Sequence, residues 1–161
     1  MSERRVLESI RALLTDAGVE FREVEHAPTR TSEDSARERG EELKTGGKAL
    51  LLKTGKVFRL FVLSAARKLD SSAIKQHFGE KKMRFATPEE LKEATGLVPG
   101  SVPPFGEPVL PYPLFVDESI TQNERIAFNA GSLEHSIIFS VKDYLEIVKP
   151  EVFLFSIPAA D

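Results

Sequence analysis

Gly46 and Gly47 stand directly before Lys48, and Lys48 opens the apolar run Ala49-Leu50-Leu51-Leu52, which ends in Lys53. Glycines let a backbone approach a ligand closely, and a lysine at the mouth of a strand reaches into a cleft while its stem packs. The same residues also fit a plain loop followed by an edge-strand lysine. A buried structural lysine needs a paired acid, and residues 45–55 contain none, which favours a charge held for a ligand. A second segment, residues 96–106, reads Gly-Leu-Val-Pro-Gly-Ser-Val-Pro-Pro-Phe-Gly. Proline and glycine at this density fix backbone N–H and C=O groups in space. Such groups suit recognition of an amino acid's ammonium and carbonyl, or of an oxyanion, and equally suit a stiff connection that covers the core.

Several other chemistries are excluded. Position 42, where a P-loop needs its first glycine, is Glu42, and Ala49 follows the lysine in place of Ser or Thr. Ser101 lacks the second glycine of a nucleophile elbow. His26, His77 and His135 are scattered singly without metal-ligand spacing, so no metal and no cofactor are expected. For His77, near the end of a predicted helix, capping and the helix dipole account better than catalysis. With no cysteine there is no disulfide framework, thiolate site or redox pair.

At 161 residues with 41% hydrophobic and 29% charged residues, the chain has the make-up of one soluble domain spanning 1–161. No apolar stretch approaches the length of a membrane span, and the N-terminus has no apolar targeting core; a cytoplasmic protein without a membrane partner is expected. The net charge of −3 is unevenly spread: eleven Lys/Arg and two acids fall between positions 44 and 84, a block of +9 against −12 elsewhere. That block fits either a polyanion-binding face or a solvated lysine-rich surface.

The elements that must position these groups follow from caps and periodicity. Val6, Leu7, Ile10, Leu13 and Leu14 recur at helical spacing over 3–17, and Gly18 stops that helix. Val19, Phe21 and Val24 predict a short strand ending at His26. Thr31 starts a helix that ends at Gly40. Residues 48–53 and 57–63 predict a hairpin through Thr54-Gly55-Lys56. Asp70 caps a helix through Phe78, Met83 and Phe85 mark a strand, and Thr87-Pro88-Glu89-Glu90 opens a helix that ends at Gly96. Residues 98–113 are irregular and carry six of the ten prolines. Four strands follow, at 114–117, 125–129, 136–140 and 152–156, with a helix at 141–148 before the last. The class is α+β with a largely antiparallel or mixed sheet.

Taken together, these segments resemble the YbaK/prolyl-tRNA-editing family. The resemblance runs from about residue 20 to 150 and rests on His26 in Glu-His-Ala-Pro, the Gly46–Lys53 run, and the 96–106 loop. Asp117 and Ala127-Phe128-Asn129-Ala130-Gly131, before the strand at 136–140, continue it in the same order. It implies a curved mixed β-sheet closing toward a pseudo-barrel, with surrounding helices. It also implies hydrolysis of the ester that joins a wrong amino acid to tRNA, with alanine, serine, threonine or cysteine as the group removed. Lys48 matches the family's essential lysine, and Gly96, Pro99, Gly100 and Ser101 fall in the loop that holds the aminoacyl group. His26, Asp117, Asn129 and Gly131 fall in other family motifs and are expected to bind substrate. Some branches place a functional histidine near His135.

The residues agree with this independently. Ester hydrolysis develops an oxyanion, which an ammonium and fixed backbone N–H groups stabilise. The acceptor end of a mischarged tRNA needs phosphate contacts, for which Lys81, Lys82 and Arg84 of the basic block are the candidates. An aminoacyl-tRNA synthetase is the expected further partner. A tRNA-binding module without turnover and an esterase for small aminoacyl esters stand as the competing classes.

Overall fold

The structure, a computed structural model, describes residues 3–29 and 31–159. The chain begins with α1 (Glu3–Asp16), β1 (Phe21–Glu25) and α2 (Ser32–Arg39). A short 3-10 turn leads into the hairpin β2 (Gly47–Thr54) and β3 (Val57–Ser64), then β4 (Arg67–Leu69), α3 (Ser71–Phe78), β5 (Met83–Phe85) and α4 (Pro88–Thr95). After the proline-rich loop come β6 (Leu114–Asp117), α5 (Glu118–Thr121), β7 (Arg125–Asn129), β8 (His135–Ser140), α6 (Val141–Val148), β9 (Glu151–Phe153) and β10 (Ser156–Pro158).

Five strands form a mixed sheet in the order β5-β2-β3-β6-β9, antiparallel at β5-β2-β3 and parallel at β3-β6-β9. Three more form an antiparallel sheet, β1-β8-β7, and β10 pairs with β4. A single parallel bridge between Gly46 and Ala127 joins the entrance of β2 to β7. There the two larger sheets meet, and the architecture is the expected α+β class with a mixed sheet.

The unbroken apolar run in β2 arises because its sheet is buried on both faces. Leu51, Leu60, Val62 and Val116 face a large core shared with α1, α4, α6 and the three-stranded sheet. Leu52, Phe61, Leu63 and Phe115 face a second core closed by Ile74 of α3 and Phe155. Phe61 is fully buried, stacked on Phe115 at 5.3 Å and edge-on to Phe78 and Phe155; truncating such a ring costs about 3–5 kcal/mol.

The helix caps form as the sequence predicts. Asp70 accepts from Ser72 and Ala73, and Thr87 and Glu90 close a reciprocal capping box. The strand expected at 152–156 is in fact two strands in different sheets. Between them, the Phe155 N–H leaves the ladder to donate to Asp117 Oδ1 at 2.6 Å. The three-residue β4 and single-turn α5 are too short to give a periodic signal, so the sequence pattern does not reveal them. His77 stacks on Phe153 with centroids 3.8 Å apart and meets Glu151 at 2.5 Å, so it ties the end of α3 to β9. Among the described residues, no helix is long and apolar enough to cross a membrane.

Candidate active site

A cavity of about 470 Å³ lies between α2, the entrance of β2, the proline-rich loop and the end of β7. Gly46, Gly47 and Lys48 line it together with Pro99, Gly100 and Asn129. Ala49, Leu50, Ala65, Val102 and Leu133 give it an apolar wall, and Thr29, Thr31, Ser32 and Ser35 a hydroxyl-bearing one, in which Thr29 Oγ1 and Ser35 Oγ bond each other at 2.7 Å and Thr31 Oγ1 caps α2. Among the described residues two cations line it, Lys48 and Arg39, and no acidic residue does.

Lys48 is partly buried in the second position of β2, opposite Leu63. Among the described residues, no hydrogen bond or ion pair engages its ammonium. The preceding glycines meet a packing need that sequence reasoning assigned to a ligand. A Cβ at Gly47 would lie 2.8 Å from Ile126 of β7, and one at Gly46 would lie 3.0 Å from Ala65. Small residues at 46 and 47 therefore let the two sheets meet where the cavity floor forms.

The loop is held rigidly. Leu97, Val102, Phe105, Val109 and Leu110 are buried in the large core, and Tyr144 Oη donates to the Pro104 carbonyl at 2.7 Å. The segment covers the core, and its Pro99-Gly100 corner lines the cavity. Gly100 sits at φ +89°, a left-handed angle that side chains other than glycine adopt only with strain. Its carbonyl accepts from Asn129 Nδ2 at 2.8 Å.

Behind that corner lies a network on one serine. Ser136 Oγ lies 2.9 Å from His26 Nε2, accepts from Arg39 Nε at 2.9 Å and donates toward Asn129 Oδ1 at 3.2 Å. His26 Nδ1 is 2.9 Å from the Ala27 carbonyl. Arg39 Nη2 also reaches Asn129 Oδ1, at 3.1 Å. Arg39 is 7% exposed, and burial lowers its pKa to about 10, so it remains cationic at neutral pH. Among the described residues, no carboxylate pairs with it. The nearest acid influence is Glu41, whose oxygens are taken by Arg22 and Arg125.

Sequence reasoning missed Arg39. The available signal was α2 itself, a helix with almost no apolar residues whose Ser35 and Arg39, four apart, share one face. Both are buried, and that polar face is the cavity wall.

The structure brings Lys48, Pro99, Gly100 and Asn129 together, with His26 one hydrogen bond behind Asn129's partner Ser136. Gly96 instead caps α4, donating to the Lys92 carbonyl. Ser101 is fully buried and closes its own turn through the Val98 carbonyl, and Gly131 donates to the Ser101 carbonyl. These three shape the loop from outside the cavity. Asp117 is also fully buried, and its carboxylate is taken by the Ser119 and Phe155 N–H groups and the Ser156 hydroxyl. His135 contacts Ser132 Oγ at 3.2 Å and does not line the cavity.

Lys81, Lys82 and Arg84 line a separate groove with Lys53 and Lys75. Arg84 is held by Glu90 through two bonds, at 2.7 and 3.0 Å, so its charge is partly spent. The Arg84 guanidinium, then the Thr87 N–H, hold the Glu90 carboxyl at about 2. β2 carries both Lys48 and Lys53, and five residues of strand put the two sites roughly 17 Å apart. Among the described residues, no cluster of His, Asp or Glu is placed to hold a metal ion.

Comparison with known proteins identifies the family of the chain. The aminoacyl-tRNA editing domain family matches residues 26–147. The chain is 37% identical over 150 residues to the multifunctional Ser/Thr-tRNA deacylase ProXp-y of Escherichia coli (strain K12), covering 89% of each chain. It is 36% identical over 84 residues to a proline–tRNA ligase of Shouchella clausii, covering 52% of this chain and 14% of the ligase. A crystal structure described as a candidate trans-editing enzyme for prolyl tRNA synthetase superimposes with a TM-score of 0.83, at 27% identity over 96% of both chains.

Proposed function

Because the chain belongs to the aminoacyl-tRNA editing domain family, we propose that it is a free-standing deacylase that removes serine or threonine from mischarged tRNA. The observation that carries this reading is the Lys48 ammonium, which no hydrogen bond or ion pair engages among the described residues, in a cavity that none of their acids lines, beside the Gly100 corner. The aminoacyl ester enters between the apolar wall and the hydroxyl-bearing wall. Water adds to the ester carbonyl, whose oxygen becomes an oxyanion facing Lys48. The bond from carbonyl carbon to ribose oxygen then breaks. The ribose oxygen leaves with one of the two protons of the water, and the amino acid departs as a carboxylate while the other proton passes to solvent.

No carboxylate or histidine among the described residues lines the cavity to act as a general base. That role falls to the neighbouring ribose hydroxyl or to the side-chain hydroxyl of the amino acid itself. The hydroxyl-bearing wall fits a serine or threonine side chain, in line with the substrate of the E. coli relative. The acceptor end of the tRNA is the binding partner, and its phosphates would follow β2 toward the lysines of the second groove. The likeness to part of a proline–tRNA ligase supports action alongside a synthetase in the cytoplasm.

A panel of mischarged tRNAs tests the proposal, with released amino acid as the readout. Hydrolysis of seryl- or threonyl-tRNA is expected, with Lys48→Ala slower by about 10²–10³-fold and folded as the wild type. Binding without release would leave a tRNA-binding module, and hydrolysis of free aminoacyl esters alone would leave a small-ester esterase.

A further inference from the structure

We infer that Arg39 holds the phosphate on the 5′ side of the terminal nucleotide, so that the cavity accepts an aminoacyl nucleotide in preference to an aminoacyl nucleoside. The inference rests on the deacylase reading and adds a binding group to it.

Arg39 is 93% buried, given its 7% exposure, and Ser136 and Asn129 hold its Nε and Nη2 before any ligand arrives. Every fully buried side-chain nitrogen and oxygen among the described residues has a hydrogen-bond partner. No hydrogen bond engages Nη1 of Arg39 among the described residues, so this nitrogen is not fully buried, and it lies beside Gly46, which lines the same cavity. A buried cation without a counter-ion is costly, and among the described residues no acid lines the cavity. The compensating anion must therefore come with the ligand.

An aminoacyl end offers two anions, the permanent phosphate and the transient oxyanion. Lys48, at the strand mouth with a flexible stem, suits the transient one. A guanidinium already locked in place suits a permanent charge, and its remaining N–H groups match phosphate oxygens.

The test compares hydrolysis of 3′-O-seryl-AMP and 3′-O-seryl-adenosine by the wild type, Arg39→Lys and Arg39→Gln. The wild type should favour the nucleotide by roughly ten- to a hundredfold in kcat/KM, expressed in KM. Arg39→Gln should abolish that preference, and Arg39→Lys should retain part of it. A purely positioning role for Arg39 would lower both substrates by the same factor, and that outcome overturns the inference. So does a wild type that does not distinguish the two. Calorimetric titration with 5′-AMP and with adenosine reads the same interaction without turnover. If charged tRNA is not hydrolysed but AMP still binds more tightly than adenosine in an Arg39-dependent way, the deacylase reading fails and the phosphate site stands.

Discussion

The side-chain amide of Asn129 donates to the carbonyl of Gly100 at 2.8 Å, so the end of β7 holds the glycine corner of the loop through one hydrogen bond. The carbonyl oxygen of the same amide accepts from Arg39. One side chain thereby sets the distance between the loop and the buried cation. Asn129→Asp keeps the acceptor for Arg39 and removes the donor to Gly100. Its melting temperature should stay near that of the wild type, because the new carboxylate meets a guanidinium. Its deacylation should fall by about tenfold or more, since misplacing a positioning group by about 1 Å can cost 10²-fold. Melting curves and single-turnover rates check the two halves separately, and unchanged rates would remove the Gly100 corner from the site.

Caps and turn glycines made most elements legible in the sequence. Thr31, Asp70 and Thr87 at helix starts, with Gly40, Gly79 and Gly96 at helix ends, use local rules that tertiary context does not override here. Lys48, Pro99 and Gly100 were legible because their types are unusual where they stand. Arg39 was not, because a charged residue on a polar helix looks solvated until the fold buries it. Asp117 misleads for the opposite reason. Its family position suggests substrate binding, whereas its three donors come from residues 119, 155 and 156, and the last two lie too far along the chain to be paired with it by inspection.

The basic groove contains cations of unequal freedom. Arg84 is bonded twice to Glu90, whereas among the described residues no ion pair engages Lys81 or Lys82. Replacing both lysines with glutamine should weaken tRNA binding and flatten its log–log salt dependence. The slope should change by somewhat less than about one unit for each phosphate that is no longer neutralised. Arg84→Gln should change the slope less. An unaltered slope in the double variant would place the acceptor stem on another surface.

Acid should loosen the start of α4 through Glu90. Its carboxyl is held at about 2 by Arg84 and the Thr87 N–H, against an ordinary value of 4.5. A lowered carboxyl pKa contributes stability that is complete above 4.5 and is lost as the pH falls through about 2. Thermal melts between about pH 5 and pH 2 should therefore fall less steeply for Glu90→Gln than for the wild type. Because the pair is exposed, added salt should shrink the difference. Parallel curves for the two proteins would show that the pair contributes nothing to the acid limb.

Asp117 separates a fold-holding role from a substrate-binding one. Its Oδ1 accepts from the Phe155 N–H at 2.6 Å, and its Oδ2 accepts from the Ser119 N–H at 3.0 Å and the Ser156 hydroxyl at 2.6 Å. These bonds cap α5 and hold the turn that sends the chain from β9 into β10. Asparagine has one acceptor oxygen, so Asp117→Asn sets an amide N–H against a backbone N–H and leaves a buried donor unmade. That costs about 1–3 kcal/mol, and alanine, which leaves all three donors bare, should cost more. Neither variant touches the cavity, so the folded fraction should keep near-normal single-turnover rates below its melting temperature. Denaturant unfolding gives the stability, and rates corrected for the folded fraction give the chemistry. A stable Asp117→Asn protein with a collapsed rate would return Asp117 to the substrate site.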